Sequence, residues 1–320
     1  MQNAAQKFRG PPGGGMAMLT VGAILKEPLE TTLRFVSWYL DAGADQIVLC
    51  FDDPLDPAIE ILRDHPKVRC IRCTRSFWIN LGCRPRTRFT RRQNRAMQYV
   101  YDGLTEGWFL NVDGDELAYV QGRNLRNLLA AQPDEVRSVT LRPAEAIQCP
   151  QTPHLQFRLA MSDEACGRVY GDLAPFMVKR RGLSGHTIGK TATRAGLVGF
   201  QMRQHFMQGP DGERVLDQVL GHGEGAYVLH FFDQGYDIWR SKLNWRLSSR
   251  GFRENFKDHL RACLNGPDTE ERLREIYNRL HVFDEDRMGL LELLQSRLEV
   301  RLNMTGLVED YFPGRLVRAA

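Results

Sequence analysis

Short apolar runs alternate with helix-periodic stretches from MAMLTVGAIL (16–25) to VRSVTLRP (136–143), and this alternation limits the possible folds more than any other feature. MAMLTVGAIL is continuously apolar and too short for a buried helix, which predicts a strand covered on both faces. KEPLETTLRFVSWYLDAG predicts a helix, with Pro28 near its first turn and Gly43 just past its end. Leu29, Leu33, Val36 and Leu40 give it one apolar stripe. QIVLCF predicts a second buried strand ending in Asp52 and Asp53. The unit then repeats: PAIEILRDH as helix, KVRCIRC as strand, RRQNRAMQYVYDGL as helix, WFLNVD as strand, NLRNLLAA as helix and VRSVTLRP as strand. Strand–helix alternation of this kind predicts an α/β fold, a Rossmann-like mixed sheet flanked by helices.

The second half is less regular. APFMVKR, GKTATR and GAYVLHFF read as strands between glycine-rich turns. Beyond His230 the composition turns helical: YDIWRSKLNWRL, FRENFKDHLRACL, TEERLREIYNRL and a long last helix over RMGLLELLQSRLEVRL. The expected organisation is a tail at 1–15, rich in glycine and proline, a nucleotide-binding domain at 16–232 and a helical C-terminal appendage at 233–320. Leu290, Leu291, Leu294 and Leu298 form a stripe expected to pack on the core, with a second subunit or a membrane surface as alternatives.

The balance of 43 basic and 39 acidic residues leaves a net charge of only +4, which neither demands a nucleic-acid partner nor excludes an anionic small molecule. The N-terminus lacks a signal-peptide core, and no run approaches a membrane span, so a cytoplasmic location is expected. An odd count of seven cysteines fits reduced thiols better than a disulfide framework. Cys70 and Cys73, a lone C-x-x-C, read as residues of a β-rich stretch.

In strand–helix sheets, ligands bind beyond the carboxyl ends of the strands. Lys26 and Glu27, Asp52 and Asp53, and Asp113 through Glu116 all follow predicted strands and are expected to converge along one edge. In WFLNVDGDE, two aspartates stand two residues apart, with Gly114 permitting a tight turn. Hard divalent cations take one or two carboxylates together with substrate phosphates. Such an ion suits a diphosphate leaving group, on which negative charge grows as the bond to a sugar breaks.

These segments together resemble family-2-type glycosyltransferases of the GT-A fold, in the bacterial subgroup with a DxDE signature. The resemblance spans about 17–246. It rests on AILKEPLETTLRFVSWYLDAGADQIVLCFDDPLD, on RRQNRAMQYVYDGLTEGWFLNVDGDEL, on GKTATR followed by Gln204 and His205, and on VLHFFDQGYDIWRSKLNWR. Lys26-Glu27 lacks the Asn often found between such residues, and Pro54 follows Asp53 where the family has a polar turn.

The resemblance implies a GT-A-like fold and an inverting, metal-dependent transfer of a sugar from a nucleotide-diphosphate donor to a glycan or glycolipid acceptor. Surface polysaccharide or lipopolysaccharide synthesis is the implied setting, with peripheral contact to the inner membrane as an option. Asp113 and Asp115 would hold Mn²⁺ or Mg²⁺, and His230 would complete the shell. Asp52, or else Asp53, would contact the base or ribose, while Lys26, Glu27, Arg91 and Gln93 fall near the same nucleotide pocket. Lys242 would reach a phosphate. Asp163 and Glu164, with Asp172 behind them, are the candidates for the base that takes the acceptor proton.

Two other functions compete. RPRTRFTRRQNR (84–95) holds six arginines in twelve residues, a pattern that in an RNA- or anion-binding protein would engage phosphates. The rest of the chain is not basic, so the segment is expected to serve the donor diphosphate or an anionic acceptor, with no nucleic acid. A sugar nucleotidyltransferase would use a similar sheet. It would place a glycine-rich phosphate loop after the first strand, where this chain has LKEP.

Overall fold

The structure is a computed structural model, described here for residues 18–84, 86–248 and 252–315. The expected tail at 1–15 lies outside the described residues. The chain forms two compact units, each assembled from separate stretches. Unit 1 takes the described residues up to Arg142, Ile188–Val228 and those from Asn303 on; unit 2 takes Pro143–Thr187 and Leu229–Leu302.

Unit 1 opens with β1 (Leu19–Leu25), α1 (Leu29–Asp41), β2 (Gln46–Phe51), α2 (Ala58–Leu62), β3 (Val68–Arg72), α3 (Arg75–Asn80) and α4 (Phe89–Asp102). It continues through β4 (Trp108–Asn111), β5 (Glu116–Val120) and α5 (Leu125–Ala130) into β6 (Ser138–Ile147), whose second half belongs to unit 2. Unit 2 adds β7 (Leu155–Arg158), α6 (Asp163–Tyr170) and α7 (Ala174–Met177). The chain then returns to unit 1 with β8 (Lys190–Arg194), the short strands β9 (Gln201–Met202), β10 (Met207–Gln208), β11 (Arg214–Val215) and β12 (Gln218–Leu220), and most of β13 (Ala226–His230). The rest of unit 2 is α8 (Tyr236–Ser241), α9 (Leu243–Ser248), α10 (Glu254–Leu264), α11 (Thr269–His281), α12 (Glu285–Leu293) and β14 (Arg297–Val300). Finally α13 (Met304–Tyr311) packs against α1 in unit 1.

The sheet of unit 1 runs β6-β8-β4-β1-β2-β3. β4, β1, β2 and β3 are mutually parallel, and β8 joins β4 and β6 antiparallel. This is the expected mixed, Rossmann-like α/β sheet with flanking helices. Every residue of β1 is buried, as its continuous apolar composition requires for a strand covered on both faces. Because the four strands are parallel, their carboxyl ends after Leu25, Phe51, Arg72 and Asn111 share one edge. Helix α4 turns Ala96, Met97 and Val100 into the apolar cluster that includes Ile24, Val48 and Phe109, which brings its N-terminal half to that edge.

In unit 2, β14-β7-β6 form an antiparallel ladder, and α6 and α8–α12 bury one apolar cluster around Leu243, Leu260, Leu273, Leu280 and Phe283. Leu290, Leu291 and Leu294 pack in this cluster. Two sequence readings are corrected here. APFMVKR, expected as a strand, is the short helix α7 followed by a 3₁₀ turn, started by Pro175 at a helix-compatible first-turn position. The long last helix expected over 287–302 stops at Leu293, because Gln295 adopts φ +51° and the chain then extends to pair with β7. Leu298 of the predicted stripe is thus a strand residue.

No helix among the described residues is long and apolar enough to cross a membrane.

Candidate functional site

The edge defined by the parallel strands of unit 1 carries the acidic turn. β4 ends at Asn111, and Asp113, Gly114 and Asp115 turn the chain into β5, which Tyr39 of α1 pins by donating to the Glu116 carbonyl (2.9 Å) and accepting from the Ala118 N–H (3.0 Å). Gly114 matters here for its lack of a side chain. A Cβ at this position would stand 2.8 Å from Leu25 Cδ2 and 3.0 Å from Glu27 Cγ, so the turn lies directly on the segment that follows β1.

The Asp113 carboxylate is held from two sides. The Gln93 amide of α4 donates to Oδ1, and Lys190 at the start of β8 reaches Oδ2 at 2.7 Å. Gln93 is itself oriented by Gln204, whose amide donates to its Oε1 at 2.9 Å. Glu116, the last acid of the motif, is fully buried and faces inward. Its Oε2 accepts the Asp113 N–H at 2.8 Å and lies 3.0 Å from Lys190 Nζ. Burial pushes the Lys190 ammonium toward deprotonation, but Asp113 and Glu116 outweigh it and hold the group above its ordinary pKa. Three carboxylates (Asp113, Asp115, Glu116) against one ammonium (Lys190) leave two net negative charges on the turn.

Lys190 owes its place to Gly189. That glycine has φ +95°, and a Cβ on it would collide with the Leu141 carbonyl oxygen, so only glycine lets β8 start this close to β6. Thr191 Oγ1 donates to the His205 carbonyl at 2.6 Å, and His205 Nδ1 lies 3.0 Å from the Gly189 carbonyl, which ties down the strand on which Lys190 stands.

At the neighbouring strand end, Asp52 forms an ion pair with Arg92 of α4. The Arg92 guanidinium lies 5.2 Å from the Trp78 ring centre and 5.7 Å from that of Phe89. Asp53 is exposed and makes a local turn by accepting the Leu55 N–H at 2.9 Å. Lys26 and Arg91 are exposed, and Glu27 lies beside Gly114. Helix α4 thus ties two strand ends together, through Arg92 to Asp52 and through Gln93 to Asp113.

The remaining sequence candidates belong to unit 2. Asp163 and Glu164 occupy the first turn of α6, after Ser162, whose hydroxyl accepts the Ala165 N–H at 3.2 Å. Asp172 is exposed and paired with Arg279. Lys242 is exposed at the end of α8. His230 ends β13, buried and stacked on His186 with ring centres 5.1 Å apart and ring nitrogens within 4.8 Å. Beside it lies a buried pair absent from the sequence reading. Glu145 and Arg158 are both fully buried, and Glu145 also accepts the Ser184 N–H (2.8 Å) and the Gly185 N–H (2.6 Å). Burial alone would push the Glu145 carboxyl up, but Arg158, His230 and these N–H donors bring it down to about 2.

Sequence reasoning placed Glu116 at this edge but missed Lys190 and Arg92 as members of the cluster. Helix phase was an available signal for Arg92: buried Gln93, Ala96, Met97 and Val100 mark the inner face of α4, and position 92 shares the phase of 96. Lys190 stands in GKTATR, but nothing local linked it to Asp113, which it meets across 77 residues of chain.

Comparison with protein-family models and with curated proteins finds no match. Among solved structures, the chain is similar to the apo structure of the bifunctional glycosyltransferase WbbM, with 11% identity over 41% of this chain and a TM-score of 0.24. The chain spans 24% of WbbM's length. It is also similar to the crystal structure of HddC from Yersinia pseudotuberculosis, with 13% identity over 67% of this chain and 77% of that one and a TM-score of 0.27.

Proposed function

We propose that this chain is a glycosyltransferase that takes a sugar from a nucleotide-diphosphate donor bound at the carboxyl edge of unit 1. The observation that carries the reading is Asp113, oriented by Gln93 and Lys190 at the end of a parallel strand, with Asp115 one turn residue away. This is a pre-oriented, oxygen-only set with net negative charge, and it fits a hard divalent cation such as Mg²⁺ or Mn²⁺. Such an ion, when bound, would neutralise the charge that grows on the leaving diphosphate. Each oxygen of a carboxylate has two lone pairs, so Asp113 keeps acceptor capacity beyond its two existing partners. Asp52, held by Arg92, would contact a ribose or base in this reading, and Glu27 borders the turn.

In the proposed reaction an acceptor hydroxyl oxygen bonds to the anomeric carbon while the bond from that carbon to the diphosphate oxygen breaks. The hydroxyl proton passes to a carboxylate base, and nucleoside diphosphate leaves with the electron pair. The protein's part is to hold the diphosphate end still, a matter of positioning and electrostatics.

The test is a thermal-shift screen of nucleotide-diphosphate sugars with and without Mn²⁺ or Mg²⁺, followed by a product assay. A donor at 100 times its Kd stabilises by about 2.7 kcal/mol, and this gain should need the metal and vanish in Asp115→Asn. Release of nucleoside diphosphate in the presence of acceptor supports the proposal. Absence of any stabilising donor, or release of pyrophosphate from a nucleoside triphosphate and a sugar phosphate, overturns it.

A further inference from the structure

We propose that the face of unit 1 formed by α3, the following loop and the start of α4 docks on an anionic lipid bilayer. Between Asp64 and Asp102 the chain has ten lysines and arginines and no acidic residue, although its net charge is only +4. Arg75, Arg84, Arg86, Arg88, Arg91 and Arg95 are all exposed, and none is in an ion pair among the described residues. Two of the loop's residues bond to each other: the Arg84 N–H donates to Thr87 Oγ1 at 2.8 Å and the Thr87 N–H to the Arg84 carbonyl at 2.9 Å.

Two apolar side chains stand within this basic field. Ile79 is 57% exposed and Phe89 is 45% exposed. The segments that carry them meet at Arg92, whose guanidinium lies 5.7 Å from the Phe89 ring centre and 5.2 Å from that of Trp78, the chain neighbour of Ile79. The arrangement also works against α4 itself. Its first turn has no acid and no side-chain cap, and it carries arginines where the helix dipole disfavours cations. An anionic surface relieves that repulsion and gives Ile79 and Phe89 an apolar phase to enter. An aliphatic Ile79 offers nothing to a stacking base, so a nucleic acid fits the patch less well.

The experiment is co-sedimentation of the full chain with vesicles of phosphatidylcholine, alone or mixed with phosphatidylglycerol, across a salt series. Wild type should bind only the mixed vesicles, and less at high salt. The variant Arg84→Ala/Arg86→Ala/Arg88→Ala should lose on the order of 100-fold in partitioning, about five-fold per arginine. Ile79→Ser/Phe89→Ser should keep low-salt binding and lose the salt-resistant part. All five positions are exposed, so circular dichroism should show unchanged folding. Donor binding measured without vesicles separates this proposal from the transferase reading and should be unchanged in Ile79→Ser, which lies outside the 84–95 segment. Equal vesicle binding by wild type and the arginine variant overturns the proposal. So does a lack of preference for phosphatidylglycerol, or tighter binding to polyuridylate than to vesicles.

Discussion

Replacing Lys190 with methionine removes a cation that faces two acids in the interior of unit 1. Lys190 and Glu116 are both fully buried, 3.0 Å apart, and Asp113 is 2.7 Å away with its side chain 34% exposed. At an effective dielectric near 20, a pair 3 Å apart attracts by about 5–6 kcal/mol. The desolvation of both ions offsets much of that, and the Asp113 share is further reduced by solvent screening. The net consequence of removing the Lys190 charge from buried Glu116 is a loss of about 3–5 kcal/mol. At roughly 2 °C per kcal/mol for a chain of this size, the melting temperature should fall by about 6–10 °C. Glu116→Gln on top of Lys190→Met removes the stranded charge and keeps an oxygen for the Asp113 N–H, so the double variant should recover much of the loss. Calorimetry on the four proteins of this cycle reads the coupling directly. A Lys190→Met protein that melts within about 2 °C of wild type, or a coupling under about 0.5 kcal/mol, would refute the idea that this ion cluster supports the turn.

Three further outcomes follow from the same geometry. Gly189→Ala should destabilise by more than about 2 kcal/mol, because strain at φ +95° adds to a collision with Leu141. Gly196→Ala, at φ +85° with open space around it, should lose only about 1 kcal/mol, and equal losses at the two sites in urea melts would contradict the crowding at 189. Arg92→Ala should weaken stability by about 1.5–3 kcal/mol and reduce donor affinity, since Asp52 loses its partner; unchanged affinity by calorimetric titration would remove Asp52 from the donor site. His281 is fully buried, and burial holds its imidazole well below the ordinary value of 6.5. The unfolded chain therefore binds a proton that the native state refuses. The stability this group contributes is present above pH 6.5 and lost as pH falls below it, by up to about 1.4 kcal/mol per pH unit. His281→Phe should remove that part of the slope, and identical pH profiles for the two proteins would show that His281 does not titrate on unfolding.

Asp113 and Asp115 could be read as a site because a buried strand that runs straight into acids is a local pattern. The parallel order that brings Asp52 and Asp113 to one edge also followed from strand–helix alternation. Arg92 lay within reach of the same reasoning, since the apolar phase of α4 separates it from Arg91, which is exposed. The end of the last predicted helix was harder to read: LLELLQSRLEV keeps helical spacing, yet pairing with β7 and the left-handed Gln295 convert its end to a strand. Pairing partners of that kind are tertiary and leave no mark on local periodicity.

From its apolar spacing alone, the chain determined that a mixed sheet would form and that an acidic turn would stand at its carboxyl edge, because burial of a strand on both faces leaves its polar residues only at the ends. Which groups hold that turn was decided by tertiary structure. Lys190 meets Asp113 and Glu116 because antiparallel β8 lies between β4 and β6, and Gln93 meets Asp113 because the core face of α4 fixes its rotation. Charges at this distance in sequence interact only once the fold has excluded water between them, and a sequence carries no local trace of that proximity.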